Sequence, residues 1–395
     1  MFSMIIKPHI HYIGADDLNL DLFESQYIVP EGMAYNSYLI EGEKIAILDT
    51  VDARCADTWK ASLSDALAGR TPDYLVVHHM EPDHSALIGW AMGQYPGLKL
   101  VLSAKAAQML GQFLDEAPAA DRLIVIKEGD VLDLGGKSLR FIAAPMIHWP
   151  EVMMSFCPED GILFAADAFG KFGALSKCGF WGEEDDDWAC EARRYYFNIV
   201  GKYGIPVQTL LKKAAALDIK TIAPLHGPIL RENLGYYLDL YNTWSSYGVE
   251  TEGVFVAYAS IHGGTAAAAE RFAEMLREKG CPKVATSDLT RDDMAEAVED
   301  AFRYGRMVIF AASYDGGLFT PAYNFLHTLQ MKGWQKRRVG IVENGSWAPS
   351  AGKVMTELFQ GMKEVEIVEP MVTIRSRLKP ADLPALGALA EAILG

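Results

Sequence analysis

The chain has 395 residues, half of them apolar and 22% charged, with 36 basic against 52 acidic side chains for a formal net charge of −16. That length exceeds one typical domain of about 150 residues, and the apolar share excludes a disordered chain. The acidic balance and the absence of an apolar run near ~18 residues leave neither nucleic acid nor membrane as an expected partner.

Five cysteines, Cys55, Cys157, Cys178, Cys190 and Cys281, form no Cys-x-x-Cys pair. That pattern argues against a disulfide framework, a zinc ribbon, an iron–sulfur cluster or a fused rubredoxin module. The stretch Met1 to His9 lacks a basic segment followed by an apolar one. No secretory leader is expected, and the expected compartment is the cytoplasm.

Over the first 250 residues, strands are predicted at 37–40, 45–48, 74–77, 99–102, 123–126, 139–142, 153–157, 162–165 and 221–223. Helices are predicted at 54–68, 104–114 and 207–217. Hairpin spacing, as between 36–40 and 44–49, mixes antiparallel strands with outer helices and predicts sheets sandwiched between helices. After about Gly248 the pattern changes. Strands at 253–258, 283–287, 306–311, 338–342 and 365–368 alternate with helices at 265–279, 292–304, 318–331, 348–360 and 381–394. Such alternation predicts a flavodoxin-like, doubly wound parallel sheet of order 2-1-3-4-5, with ligands at the carboxyl ends of its strands. The expected domains are 1–250 and 251–395.

Chemistry concentrates directly after the strand at 74–77, in His78-His79-Met80-Glu81-Pro82-Asp83-His84. His79, Glu81, Asp83 and His84 are metal-ligand types, and Pro82 favours an extended loop in which His79, Glu81 and Asp83 share a face. Three further candidates follow strand-like segments: His148 before Trp149-Pro150, Asp167 before Ala168-Phe169-Gly170, and His226 before Gly227. Four of only nine histidines are ligand candidates in these strand-end loops, a pattern that points to a metal site.

The second cluster follows the strand at 253–258. Ser260-Ile261-His262-Gly263-Gly264-Thr265 opens a helix, so backbone N–H groups, two hydroxyls and the helix dipole can cradle an anion. No lysine follows, which excludes a nucleoside-triphosphate loop. Ser313-Tyr314-Asp315-Gly316-Gly317 and Gly345-Ser346-Trp347-Ala348, after the third and fourth strands, pair glycine with an aromatic and suit a flat ring. The three loops resemble the FMN-binding loops of flavodoxins, with Tyr314 or Trp347 flanking the ring.

His-x-Glu-x-Asp-His followed by His, Asp and His resembles the flavodiiron branch of the metallo-β-lactamase-like fold. The whole chain is therefore read as a metallo-β-lactamase-like αββα sandwich followed by the flavodoxin-like sheet, the minimal two-domain class. Zinc hydrolases of the fold carry a second histidine where this chain has Glu81. An anionic oxygen donor there favours iron. The resemblance implies that His79, Glu81 and His148 hold one iron and that Asp83, His84 and His226 hold the other. Asp167 and an oxo or hydroxo species would bridge them, although in some members the residue matching His84 swings away. Two departures are His262, where an aromatic is usual, and Ala259, where an acidic residue is usual; they bear on the flavin potential.

The resemblance further implies reduction of dioxygen to water, of nitric oxide to nitrous oxide, or both. The expected assembly is a head-to-tail homodimer or a dimer of dimers. Without a Cys-x-x-Cys pair the electron donor is expected to be separate: rubredoxin with its reductase first, a deazaflavin donor second. The alternatives are a zinc hydrolase with a flavin-binding appendage, which Glu81 opposes, and an electron carrier using FMN alone, which leaves seven ligand candidates unexplained.

Overall fold

The computed structural model describes residues 4–395. Residues 1–3, part of the stretch read for a leader, lie outside the described residues. The chain forms two compact units, one of Met1–Tyr196 with Ile205–Tyr241, the other of Phe197–Gly204 with Asn242–Gly395.

The first unit contains a seven-stranded and a five-stranded sheet. In spatial order the larger runs Met4–Lys7, Ile10–Tyr12, Tyr38–Glu41, Ile45–Leu48, Tyr74–Val77, Lys99–Ser103 and Leu123–Ile126. The smaller runs Val131–Asp133, Ser138–Ala143, Met153–Cys157, Ile162–Phe164 and Thr221–Ala223. Ile40, Leu48, Val76 and Val101 from one sheet share a buried core with Phe141, Met153, Phe164 and Ala223 from the other. Burying an aliphatic or aromatic side chain stabilises by roughly 1.5–3 kcal/mol, so this shared interior accounts for the pairing of the sheets.

Direction within each sheet places the candidate site. Ile45–Leu48 and Tyr74–Val77 are parallel neighbours, so Asp49 and His78 emerge side by side. Ile162–Phe164 and Thr221–Ala223 are also parallel, which brings the segments carrying Asp167 and His226 to one edge. The antiparallel pair Ser138–Ala143 and Met153–Cys157 sends its connection, with His148, to that same edge. Asp49, Met146, Ala166 and Phe169 bracket these loops in the left-handed backbone region. Such conformations cost on the order of 1 kcal/mol or more each for residues with a Cβ, and they cluster at functional sites.

The second unit is one sheet in the order Val284–Asp288, Thr251–Ala259, Tyr304–Tyr314, Arg337–Asn344 and Val365–Ile374, all parallel. That is the 2-1-3-4-5 order expected of a flavodoxin-like sheet. Two local expectations differ. The helix predicted at 104–114 is α-helical only over Ala104–Met109 and tightens into a 3₁₀ turn, Leu110–Gln112, which contains Gly111. The third strand runs on to Tyr314 and folds back through a two-residue Asp315-Gly316 turn onto Gly317–Leu318. Both turn residues have positive φ, as a tight hairpin requires. Among the described residues no helix is long and apolar enough to cross a membrane.

Candidate metal centre and flavin loops

The loop after Tyr74–Val77 stays extended only as far as Glu81, and Pro82 then opens a helical turn, Pro82–Ser85. Proline's fixed φ suits the first helical position, so the residue expected to stiffen the loop also bends it. The shared face expected for His79, Glu81 and Asp83 is therefore not formed. Asp83 turns away with His84 toward His226.

Two groups of side chains converge. In the first, Glu81 Oε2 lies 3.1 Å from His79 Nε2 and 3.0 Å from His148 Nε2, while Asp167 Oδ2 lies 3.3 Å from both. In the second, Asp83 Oδ2 lies 3.4 Å from Nε2 of both His84 and His226. Asp167 presents its other oxygen, Oδ1, to this second group, 3.3 Å from His84 and 3.7 Å from His226. All seven sequence candidates thus meet in one pocket. Glu81 and His148 form its rim, with 17% and 11% of their side chains exposed.

Charge makes this pocket demand cations. Both carboxylate oxygens of Asp83 and both of Asp167 are buried without a hydrogen-bond donor. Leaving such groups uncompensated is costly. Burial opposes charge on His79, but Asp167, Glu151 and Glu81 overcome it and hold the imidazole well above its usual pKa. Burial likewise opposes a proton on His148, yet Asp167 and Glu81 push it up to about 9. Glu81 is held down at about 2, where the His148 and His79 hydrogen bonds outweigh burial. Two divalent cations would replace these protons, satisfy the bare oxygens and leave every imidazole neutral. The donor set fits a dinuclear site, with Asp167 presenting one oxygen to each half.

Five residues that the sequence reading passed over support the pocket. Glu151 Oε1 accepts from His79 Nδ1 at 2.8 Å and from the Met80 amide at 2.9 Å. Asp49 accepts from the His78 amide and Nδ1, and Ser155 Oγ lies 2.8 Å from His78 Nε2. His78 is therefore fully inside, a strut between two strands. Asn36 donates to the carbonyls of Pro224 and Gly227 at 2.9 and 2.8 Å and fixes the turn that carries His226. Gly227 sits there at φ +74, where an added Cβ would also strike Lys171. Tyr195 is wholly buried with its ring 5.5 Å from that of His226, and its hydroxyl has no partner. Burial, then the charges of Asp167, Asp83 and Glu81, hold its proton firmly in place.

In the second unit the predicted loops are stitched to one another. Ser313 Oγ accepts from the amides of Ser350 and Ala351 at 2.8 and 3.1 Å, so the third-strand loop caps the helix Ala351–Gln360. Ser260 Oγ accepts from the Gly263 amide, and Asn344 donates to Thr265 Oγ1 and to the Ser376 carbonyl. Ser376 lies in a fourth loop, after Val365–Ile374, that the sequence reading did not include; its hydroxyl lies 2.6 Å from that of Ser346. Gly264 is pressed against this loop, and a Cβ there would come within 2.5 Å of the Ser376 carbonyl. Ile261, Tyr314 and Trp347 stay 39%, 49% and 89% exposed. His262, Asp315, Gly316 and Ala348 are also exposed, and Gly317 and Gly345 are half-buried. Three exposed apolar side chains beside glycine-lined loops at the carboxyl edge fit a planar ring bearing an anionic tail.

A family model described as ODP family beta lactamase matches residues 33–227, a span that includes all seven converging residues. The anaerobic nitric oxide reductase flavorubredoxin of Escherichia coli is 27% identical over 356 residues, covering 88% of this chain and 73% of that protein. The flavodiiron protein of Giardia intestinalis superposes with a TM-score of 0.91 over 99% of this chain and 96% of its own, at 22% identity. These matches support a flavodiiron protein. Rubredoxin oxygen:oxidoreductase from Desulfovibrio gigas has the same fold, with a TM-score of 0.90 over 99% of this chain and 98% of its own, at 24% identity. Among these sequence relatives, the chain spans from 61% to 92% of their length.

Proposed function

We propose that the chain is a flavodiiron oxidoreductase that reduces dioxygen, nitric oxide or both. Residues 1–250 would carry two irons and 251–395 would carry FMN. The observation that carries this reading is Asp167, whose two oxygens divide between the two ligand groups. His79, Glu81 and His148 would hold one iron, and Asp83, His84 and His226 the other. The chemistry these groups would supply when bound is multi-electron reduction of a diatomic gas, one electron from each metal at a time, with flavin dividing two-electron input into single steps.

The chain's own residues bind, shield and position. Glu151 and the Ala34 carbonyl fix Nδ1 of His79 and His226, so each presents Nε2 to the pocket. Trp149, its ring 5.2 Å from that of His79, shields the rim beside His148. Tyr195 keeps its proton at Oη among the carboxylates and so offers a hydrogen-bond donor there. Ser260, Gly263, Gly264, Thr265, Ser346 and Ser376 would receive the flavin phosphate and ribityl chain, with Tyr314 and Trp347 against the ring.

A rubredoxin-type donor is supported by the name of the Desulfovibrio relative. A head-to-tail homodimer rests on the family resemblance and is tested by ultracentrifugation. Free thiols at all five cysteines suit a reducing compartment, the cytoplasm. Against the zinc-hydrolase alternative stands Glu81, an anionic oxygen in contact with two histidines. Anaerobic stopped-flow of the reduced protein against each gas tests the proposal. Asp167→Asn should abolish gas consumption and leave flavin reduction intact, whereas full activity in that variant would refute the site.

A further inference from the structure

The two halves of the pocket are backed differently. His79 Nδ1 donates to a carboxylate, Glu151 Oε1, at 2.8 Å. Glu151 is 2% exposed, and its other oxygen, Oε2, is buried with no donor. In the second half, His226 Nδ1 donates to a neutral carbonyl, that of Ala34, at 2.8 Å. His84 Nδ1 is buried with no partner. A carboxylate behind an imidazole makes the ring a stronger donor and locks its tautomer, whereas a carbonyl does so less and an empty position not at all. The first half also has Glu81 to itself as an anionic donor, matched in the second by Asp83, and the two share Asp167. The halves therefore differ in what backs their histidines, a carboxylate from Glu151 in the first against a carbonyl and an empty position in the second.

We infer that Glu151 is a positioning residue which makes the His79–Glu81–His148 half of the pocket the tighter, first-filled metal position, with the Asp83–His84–His226 half filled second. The inference rests on the two-metal reading above. Glu151 touches no metal; it acts through His79. Its bond to the Met80 amide is the structural part of its role. Glutamine preserves an acceptor for both N–H groups and removes only the charge, with its amide nitrogen in the place of the partnerless Oε2.

The probe is Co(II), added under anaerobic conditions to the full-length, metal-stripped chain and followed by its coordination-sensitive visible absorption. Wild type should titrate in two resolved steps of one equivalent each. Glu151→Gln should weaken the tighter step about 10- to 100-fold and leave the weaker one unchanged. His84→Ala should lose the weaker step and keep the tighter one, which decides the order of filling even if the Glu151 variant fails to fold. A single unresolved two-equivalent step in wild type, equal weakening of both steps or of neither in Glu151→Gln, or loss of the tighter step in His84→Ala would overturn the inference while leaving the dinuclear site standing. A chain that takes up no cobalt would contradict the dinuclear site itself.

Discussion

His84 and His226 face each other through their Nε2 atoms at 3.0 Å, inside a pocket where both rings are essentially unexposed. His226 uses Nδ1 to donate to Ala34, so its Nε2 carries a lone pair. Two ring nitrogens at this distance need a proton or a metal ion between them. In the metal-free chain a proton on His84 Nε2 fills that place, and Asp83 and Asp167 overcome burial to raise the ring's pKa.

Metal and protons therefore compete. His79, His84 and His148 all titrate above the ordinary histidine value, and each must be neutral to coordinate. Near neutral pH, metal uptake should release protons. Apparent affinity should climb as pH rises toward about 9, where His148 loses its proton unaided. Calorimetric titration in buffers of different ionisation enthalpy checks this, and heats independent of buffer would contradict it.

Gly264→Ala should separate the two cofactors. A Cβ 2.5 Å from the Ser376 carbonyl must push the fourth loop away from the glycine-rich one. Overpacking of this kind costs about 1–3 kcal/mol, which would weaken flavin retention by roughly 10- to 100-fold. Visible absorbance and metal analysis on the same sample should show flavin lost and metal kept.

Tyr195→Phe removes a buried hydroxyl and no packing volume to speak of. Metal and flavin content should stay at wild-type levels, while gas consumption slows by about 100-fold through loss of a buried hydrogen-bond donor. Unchanged rates at full loading would leave Tyr195 a packing residue.

Arg337→Met should destabilise the second unit by about 3 kcal/mol or more. The guanidinium is 2% exposed and donates to the carbonyls of Tyr247, Gly248 and Phe302. Burial brings its pKa down to about 10, which still leaves it a cation at neutral pH. Thermal unfolding of the purified variant measures the loss.

Seven ligand candidates were legible in the sequence because coordinating side chains directly after apolar strand segments have few other uses. Their partition was not, since it depends on Pro82 beginning a helical turn rather than extending the loop. Glu151 was invisible for a different reason: its partner His79 lies 72 residues away, and only the folded sheets join them. Asp49 did leave a signal, as the residue after one parallel strand beside the residue after the next. The doubly wound parallel sheet of the second unit was readable from alternation, while its strand order came with the likeness to flavodoxins. The Asp315-Gly316 hairpin was hidden because the glycine pair 316–317 reads equally as an open loop.

The most direct measurement compares the same metal-stripped, flavin-loaded chain after anaerobic reconstitution with Fe(II) and with Zn(II), supplied with reduced donor and followed with oxygen and nitric oxide electrodes. The iron form should bind two equivalents and consume at least one of the gases, and the zinc form should consume neither beyond the slow oxidation of free flavin. Equal consumption by both forms, or none by the iron form with its flavin fully reducible, would contradict the account.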